Sequence, residues 1–347
     1  MEQIWIPRVG EPSVLEVREA PDPSPGPGEL RVRVEAAGIN FADLMTRTGV
    51  YPDAPPLPAV VGYEVAGTID RVGQGVDPSR EGQEVVALTP FGGYSSMVVV
   101  KDWQVTLRPK GLDAPTGAAL PVTGLTAWMM CEVMARVREG DRVLVHSAGG
   151  GVGLMVLDLV RWRKATAVGI ASTHKHAELL RLGYTELVDP LTQDFERVLA
   201  GGSGFDAVFD PVGGDSWRKS FALLRGGGRL VCYGFSASAS GSRRSVLGTV
   251  QALIRTPWLL FNPIRVINAN KGVFGVNMGR LWREKERTVD WMSQLMELYV
   301  QGIIRPRVHA RVPFSQAAEG HQILHDRKNL GKVVLVPDRL FEVSSRA

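Results

Sequence analysis

Residues 142–153 read Arg142-Val143-Leu144-Val145-His146-Ser147-Ala148-Gly149-Gly150-Gly151-Val152-Gly153. An apolar run short enough for a strand enters a glycine cluster, and the cluster opens a second apolar stretch, Val152 to Arg163, long enough for a helix. The spacing matches G-x-G-x-x-G, with Ala148 in the first glycine place and Gly150 and Gly153 in the other two. Gly150 lets the backbone approach a pyrophosphate, and Gly153 lets the helix pack close to the strand. The helix start at Gly151 and Val152 offers unpaired amides and the positive end of the helix dipole to phosphates. A glycine cluster alone is compatible with a mere tight turn. The strand before it, the helix after it and a second strand on schedule make it a dinucleotide site.

That second strand, Ala165 to Ala171, ends in Ser172-Thr173-His174-Lys175-His176. An NAD site usually places Asp or Glu there, about 20 residues past the glycines, to bind the ribose 2′-hydroxyl. Here the segment has no carboxylate. Ser172, Thr173 and Lys175 can hydrogen-bond a 2′-phosphate and neutralise it, whereas a carboxylate would repel it. The composition therefore favours NADPH over NADH; the alternative is an ordinary polar surface turn.

Further along, helical spacing at Ala177 to Leu182 and apolar runs at Phe205 to Phe209 and Arg229 to Tyr233 continue a βαβ pattern, so residues 123–268 predict a doubly wound parallel sheet of Rossmann type. Residues 1–122 differ. Leu30-Arg31-Val32-Arg33-Val34 alternates apolar and polar residues as a half-buried strand does, and Pro21 to Gly28 and Val72-Gly73-Gln74-Gly75 are turns. Many short strands with close turns predict a partly closed β-barrel. Near the other end, Val289, Met292, Leu295, Met296 and Tyr299 predict a helix over 288–301 with a core stripe, Arg280 to Arg287 a solvated face, and the last ten residues a frayed end.

The 347 residues suffice for about two domains, and 44% hydrophobic with 22% charged residues excludes a disordered chain. A net charge of +4 without a basic, aromatic-interleaved stripe argues against nucleic acid. The two cysteines, Cys131 and Cys232, sit in apolar runs; they rule out a disulfide framework and read as inert buried thiols in a reducing compartment. No basic leader and no stretch of about 18 apolar residues is visible, which predicts a cytoplasmic protein with no membrane span.

Beyond these patterns, the chain resembles the zinc-free quinone-oxidoreductase branch of the medium-chain dehydrogenase/reductase superfamily from about residue 2 to residue 337. The matching motifs are Gly38-Ile39-Asn40-Phe41-Ala42-Asp43, Gly62-Tyr63-Glu64-Val65-Ala66-Gly67, Leu120 to Trp128, the glycine fingerprint, Phe209 to Gly214 and Asn329-Leu330-Gly331-Lys332-Val333-Val334. Between Tyr233 and Leu281, clearest at Asn268 to Gly275, it is similar to homologues of the vesicle amine transport protein. The resemblance implies an α/β chain: a GroES-like β-barrel catalytic domain from 1–122 and 269–347, a Rossmann domain over 123–268, a cleft between them and a homodimer through the Rossmann sheets. It implies Asn40 and Thr123 beside the nicotinamide, Gly150, Gly151 and Val152 on the pyrophosphate, and Ser172 and Lys175 on the 2′-phosphate. Phe274 and Val276 would present backbone groups to the carboxamide, and Lys332 would reach the cofactor. Pro190 stands where relatives often place an adenosine-contacting tyrosine.

Zinc relatives carry cysteine and histidine at two of these motifs, where this chain has Asn40 and Tyr63, and the chain between Leu88 and Tyr94 is too short for a four-cysteine lobe. The expectation is that no metal is bound. His321 and His325, four apart on a helix, read as a surface pair, because the zinc-protease pattern wants Glu where Gln322 stands. Without a metal, the acceptor depends on hydrogen-bond donors, and hydride addition to a quinone or enone makes a delocalised oxyanion that needs only modest help. Asn40, Tyr51, Tyr63 and Thr123 are the candidate donors, with packed barrel tyrosines as the alternative for Tyr51 and Tyr63. Asp210-Pro211 reads as a strand end. A second function stays open: an NADPH-binding scaffold with a peripheral membrane or partner contact through Val246 to Ile267, which holds Leu253, Ile254, Trp258, Leu259, Leu260, Phe261 and Ile264.

Overall fold

The computed structural model describes residues 1–236 and 262–344. Two sheets dominate it. One is six-stranded and parallel throughout, in the order Glu186–Val188, Thr166–Ile170, Arg142–His146, Phe205–Asp210, Leu224–Cys232 and Gly272–Gly275. Sequential strands step outward from Arg142–His146 in one direction and then in the other. The switch point, where ligands bind in doubly wound sheets, therefore lies between Arg142–His146 and Phe205–Asp210.

Along the central strand Val143 and Val145 join one apolar core, and Leu144 joins another on the opposite face. Burial on both faces explains why this strand reads as an unbroken apolar run rather than an alternation. Helix Gly151–Trp162 covers one face with Leu154, Met155, Val156, Leu157, Leu159 and Val160 all buried.

The second sheet is seven-stranded. It runs Val308–Pro313, Lys332–Val336, Glu29–Gly38, Glu64–Val72, Glu84–Leu88 and Val105–Leu107, and Met97–Lys101 pairs with Glu29–Gly38. With the small sheet of Glu16–Glu19, Glu2–Ile6 and Ala59–Val60 it encloses a core of Ile4, Ile6, Val32, Val34, Ile39 and Phe314. Strands from both ends of the chain thus build one barrel-like sheet. Lys332–Val336 brings the C-terminal segment directly against Glu29–Gly38, the strand that leads into Asn40.

The structure moves three boundaries. The parallel sheet continues beyond residue 268, because Gly272–Gly275 pairs with Leu224–Cys232 and not with the barrel. Of the ten residues expected to fray, those described are ordered: Asp338–Ser344 is helical. The helix expected over 288–301 is Lys285–Val300; Met292, Leu295 and Met296 are buried, but Val289 faces out. The segment 246–261 falls outside the described residues, while Ile264 and Ile267 are 67% and 70% exposed on helix Pro263–Ala269. Among the described residues no helix is long and apolar enough to cross a membrane.

Candidate functional site

The glycine turn is built tightly. Ser147 takes a left-handed backbone with φ 54° and accepts the Gly150 amide at 2.8 Å. A Cβ on Gly153 would lie 2.6 Å from the Ala148 carbonyl oxygen, so only glycine lets the helix sit this close to the strand. Ala148 stands in the first glycine place because its neighbour gives way: a Cβ on Gly169 would fall 2.8 Å from the Ala148 Cβ. The amides of Gly151, Val152 and Gly153 begin the helix and have no partner within it.

The C-terminal segment crosses this turn. The Gly331 amide donates to the Gly149 carbonyl at 2.9 Å. A Cβ on Gly151 would meet Thr123 Cγ2 at 3.0 Å and Lys332 Cδ at 3.4 Å. Thr123 and Lys332 therefore both flank Gly151, and Lys332 belongs to a strand of the barrel sheet. Its ammonium donates to Asn40 Oδ1 at 2.6 Å and to the Ile39 carbonyl at 2.7 Å, and pairs with Glu64 Oε1 at 2.6 Å. Thr123 donates its hydroxyl to the Ala119 carbonyl at 2.5 Å, which leaves its oxygen as an acceptor.

Next to Glu64 is Tyr63, whose ring packs edge-on to Tyr51 at 6.4 Å and tilted on Phe91 at 5.3 Å. The Tyr63 hydroxyl is buried without a hydrogen bond of normal geometry among the described residues. Burial raises its pKa well above the usual phenol range, and the charges of Asp43 and Tyr51 add to the rise. It is thus a neutral donor whose neighbouring acceptor is the Tyr51 hydroxyl, held at less than ideal geometry. The loop bearing Tyr51 is clasped by the segment that follows strand Gly272–Gly275: Asp53 pairs with Arg280 and accepts from Asn277 at 3.3 Å. Arg280, expected on a solvated face, is highly exposed yet makes this contact.

In the turn expected to meet the 2′-phosphate, Lys175 is buried and donates to the Asn329 carbonyl at 2.6 Å, with its chain against Gly149. Burial, aided by Arg327, pulls its pKa down to about 8. Ser172 is half-buried at the start of the Thr173–Lys175 turn. Thr173 gives both its amide (2.8 Å) and its hydroxyl (2.6 Å) to Asp189, a carboxylate contributed by the end of the next strand. Phe274 lies on the edge strand Gly272–Gly275, and Val276 donates its amide to the Cys232 carbonyl at 2.9 Å. Asp210 does end a strand, and its carboxylate accepts from Val212, Ser216 and Ser220, with no opening to an acceptor. Cys131 is fully buried, and burial pushes the half-buried Cys232 up to about 12.

Two carboxylates at the site escaped the sequence reading, although both lie in quoted motifs. Glu64 is one. Asp43 is the other: fully buried, it accepts from the Asn40 amide at 2.7 Å, the Gly62 amide at 3.1 Å and Tyr94 Oη at 3.0 Å. Burial pushes its pKa up to about 7 against the pull of those donors and of Lys332. The available signal was a carboxylate flanked by residues that must be buried.

His321 corrects an expectation. It is fully buried, not on the surface, with Nε2 3.1 Å from Tyr94 Oη. The helix Ala317–His325 lays His321 against the barrel core, while His325, one turn on, is only half-buried. Burial holds His321 down to about 3. An unfolded imidazole takes its proton near pH 6.5, so the folded state resists a proton that the unfolded state accepts. Stability present above pH 6.5 is lost as pH falls through that window. Between pH 7 and 5 this residue alone is expected to remove about 2 kcal/mol. His321→Gln should shrink the gap between the unfolding free energies from urea titration at the two pH values by that amount, and an unchanged gap would remove His321 as its source.

Among the described residues no group of three or more His, Cys, Asp or Glu side chains is placed to hold a metal ion. Family models match two parts of the chain: one described as zinc-binding dehydrogenase over residues 182–335, and one described as alcohol dehydrogenase GroES-like domain over residues 26–110. The synaptic vesicle membrane protein VAT-1 homolog of Mus musculus is 38% identical, over 93% of this chain and 80% of the relative. The 2-haloacrylate reductase of a Burkholderia sp is 31% identical, over 96% of this chain and 98% of the relative. Among solved structures, Escherichia coli quinone oxidoreductase complexed with NADPH is 27% identical with a TM-score of 0.82, covering 97% of this chain and 100% of that one. The chain belongs to the medium-chain dehydrogenase/reductase superfamily of oxidoreductases, within the part of it that holds the VAT-1 homologues.

Proposed function

We propose that the chain binds NADPH and reduces a quinone, enone or other carbonyl acceptor without a metal. The observation that carries this reading is that Thr123 and Lys332 both flank Gly151 of the glycine turn while Lys332 also holds Asn40, with the buried phenol of Tyr63 next in sequence to Glu64. The residues fit the cofactor. The Gly150 position is open except for the Ser147 carbonyl, and the helix amides beyond it face no partner in their own helix. When bound, the dihydronicotinamide supplies a hydride.

The chain does the rest by placement. Gly150, Gly151 and Val152 take the pyrophosphate, with Ala148 and Gly153 shaping the turn. Asn40 and Thr123 flank the nicotinamide, Phe274 and Val276 border its carboxamide, and Tyr63 with Tyr51 donates to the acceptor oxygen as charge builds on it. An ammonium already neutralises Glu64 beside Asn40, and the remaining ligand positions hold an amide and a phenol, a poor donor set for zinc. Relatives named for a quinone and for a 2-haloacrylate support an electron-poor, conjugated acceptor. NADPH oxidation with a panel of quinones and enones tests the reading directly, and a protein that reduces none of them contradicts it.

Lys175 and Ser172 take the 2′-phosphate; Thr173 acts by shaping the turn, its hydroxyl being held by Asp189. With Lys175 at about 8, its positive charge is present at pH 7 and lost as pH rises past 8. The NADPH dissociation constant is therefore expected to rise between pH 7 and 9 while that for NADH stays flat. Lys175→Met should abolish the difference and weaken NADPH binding about tenfold at pH 7. Equal pH profiles for the two nucleotides in the wild type would exclude Lys175.

Strand Gly272–Gly275 closes the parallel sheet with no further strand beyond it among the described residues, which supports a homodimer joined at this edge. Sedimentation as a monomer at micromolar concentration would exclude it. The exposed Ile264 and Ile267 favour a second reading, an NADPH-binding scaffold that meets a membrane or partner, and it requires cofactor binding without turnover in the same acceptor panel.

A further inference from the structure

Glu64 is 0% exposed, and both of its oxygens are engaged. Oε1 accepts from Asn40 Nδ2 at 2.9 Å and pairs with Lys332 at 2.6 Å; Oε2 accepts from the Val122 amide at 2.7 Å. One carboxylate therefore ties together the barrel residue Asn40, the start of helix Pro121–Trp128 that carries Thr123, and the C-terminal Lys332. Gly38 leaves room for it, since a Cβ there would lie 2.5 Å from Glu64 Oε1.

This arrangement leaves Asn40 no freedom. Its amide oxygen faces an ammonium, which can only donate, and its amide nitrogen faces a carboxylate, which can only accept. A flipped amide would set NH₂ against NH₃⁺ and oxygen against oxygen. The second Nδ2 hydrogen is held only by a long bond to the Gly38 carbonyl at 3.4 Å, and the ammonium on Oδ1, which draws electron density from the amide, makes it a stronger donor. We infer that Glu64, with Lys332, is the positioning residue that fixes and polarises the Asn40 amide for the acceptor or the cofactor. The inference rests on the NADPH-reductase reading for its kinetic consequence, but the positioning itself does not.

Glu64→Gln keeps the shape but places an NH₂ where either Lys332 and Asn40 or the Val122 amide needs an acceptor. With menadione as acceptor, kcat is expected to fall roughly 10–100-fold, with NADPH affinity read by fluorescence within about threefold of wild type. A residue acting through Asn40 has no effect once Asn40 is gone, so adding Glu64→Gln to Asn40→Ala should change kcat less than about twofold. A merely structural role would make the two effects multiply, and that result, or an unchanged kcat in Glu64→Gln, overturns the inference. Should Glu64→Gln fail to fold, Glu64→Asp serves the same cycle, because it keeps the charge but is a methylene too short to hold Asn40 and Val122 together.

A readout independent of turnover separates this inference from the functional reading. The Asn40 side-chain amide protons should exchange slowly with solvent in the wild type and fast in the variant, observed by NMR. A wild type that reduces nothing sinks the reductase reading, and the Asn40 amide exchange then decides the positioning on its own.

Discussion

Gly153→Val is expected to weaken NADPH binding at least about a hundredfold, or about 2.7 kcal/mol. Its Cβ would fall 2.6 Å from the Ala148 carbonyl oxygen, 2.7 Å from the Ser147 oxygen and 2.8 Å from the Ala148 carbonyl carbon. All three are backbone atoms in the turn itself, so no side chain can rotate away. Helix Gly151–Trp162 must move off the strand, and the amides proposed to meet the phosphates move with it. The overpacking should also cost about 1–3 kcal/mol of stability. Gly201→Val is the matched control, because a Cβ there meets nothing within 4 Å. Fluorescence titration of both variants checks the result. Equal affinity in Gly153→Val and wild type would mean that the phosphates bind elsewhere.

Lys332→Met is expected to cost about 3–5 kcal/mol in urea unfolding, the typical loss when one partner of a buried ion pair is removed. Lys332 is 5% exposed and its partner Glu64 0%, so water cannot solvate the carboxylate left behind. Asn40 Oδ1 and the Ile39 carbonyl lose their donor in the same step. Adding Glu64→Gln to this variant should recover part of the loss, because it removes the uncompensated charge. A loss below about 1 kcal/mol would show that the pair is open to solvent and that Lys332 does not hold Glu64 and Asn40 in place.

The parts of this account that were legible in the sequence are those set by local pattern. Strand Arg142–His146 and the helix after it follow from an apolar run broken by glycines, and the structure confirms both within a residue. The barrel strand at Leu30 to Val34 showed in its alternation, though it extends over Glu29–Gly38. What failed depends on neighbours distant in sequence. Helical spacing places His321 and His325 on one side of a helix but does not say that the barrel covers only the first. Strand Gly272–Gly275 is four residues long, and its membership of the parallel sheet follows from pairing with Leu224–Cys232, not from its composition. The contact between Lys332 and Asn40 spans 292 residues, and Glu64 reads as one polar position in an apolar strand until those two close on it. The motif residues were visible, but the reason they occur together was not.

The central claim is that the turn at Ser172 to Lys175 and the glycine cradle together hold a phosphorylated nicotinamide dinucleotide. The most direct test is equilibrium titration of the purified chain with NADPH and with NADH at pH 7, in the same buffer and with no acceptor present. The account predicts saturable binding of both, with NADPH tighter by about tenfold or more. Failure to bind either nucleotide, or tighter binding of NADH, would contradict it.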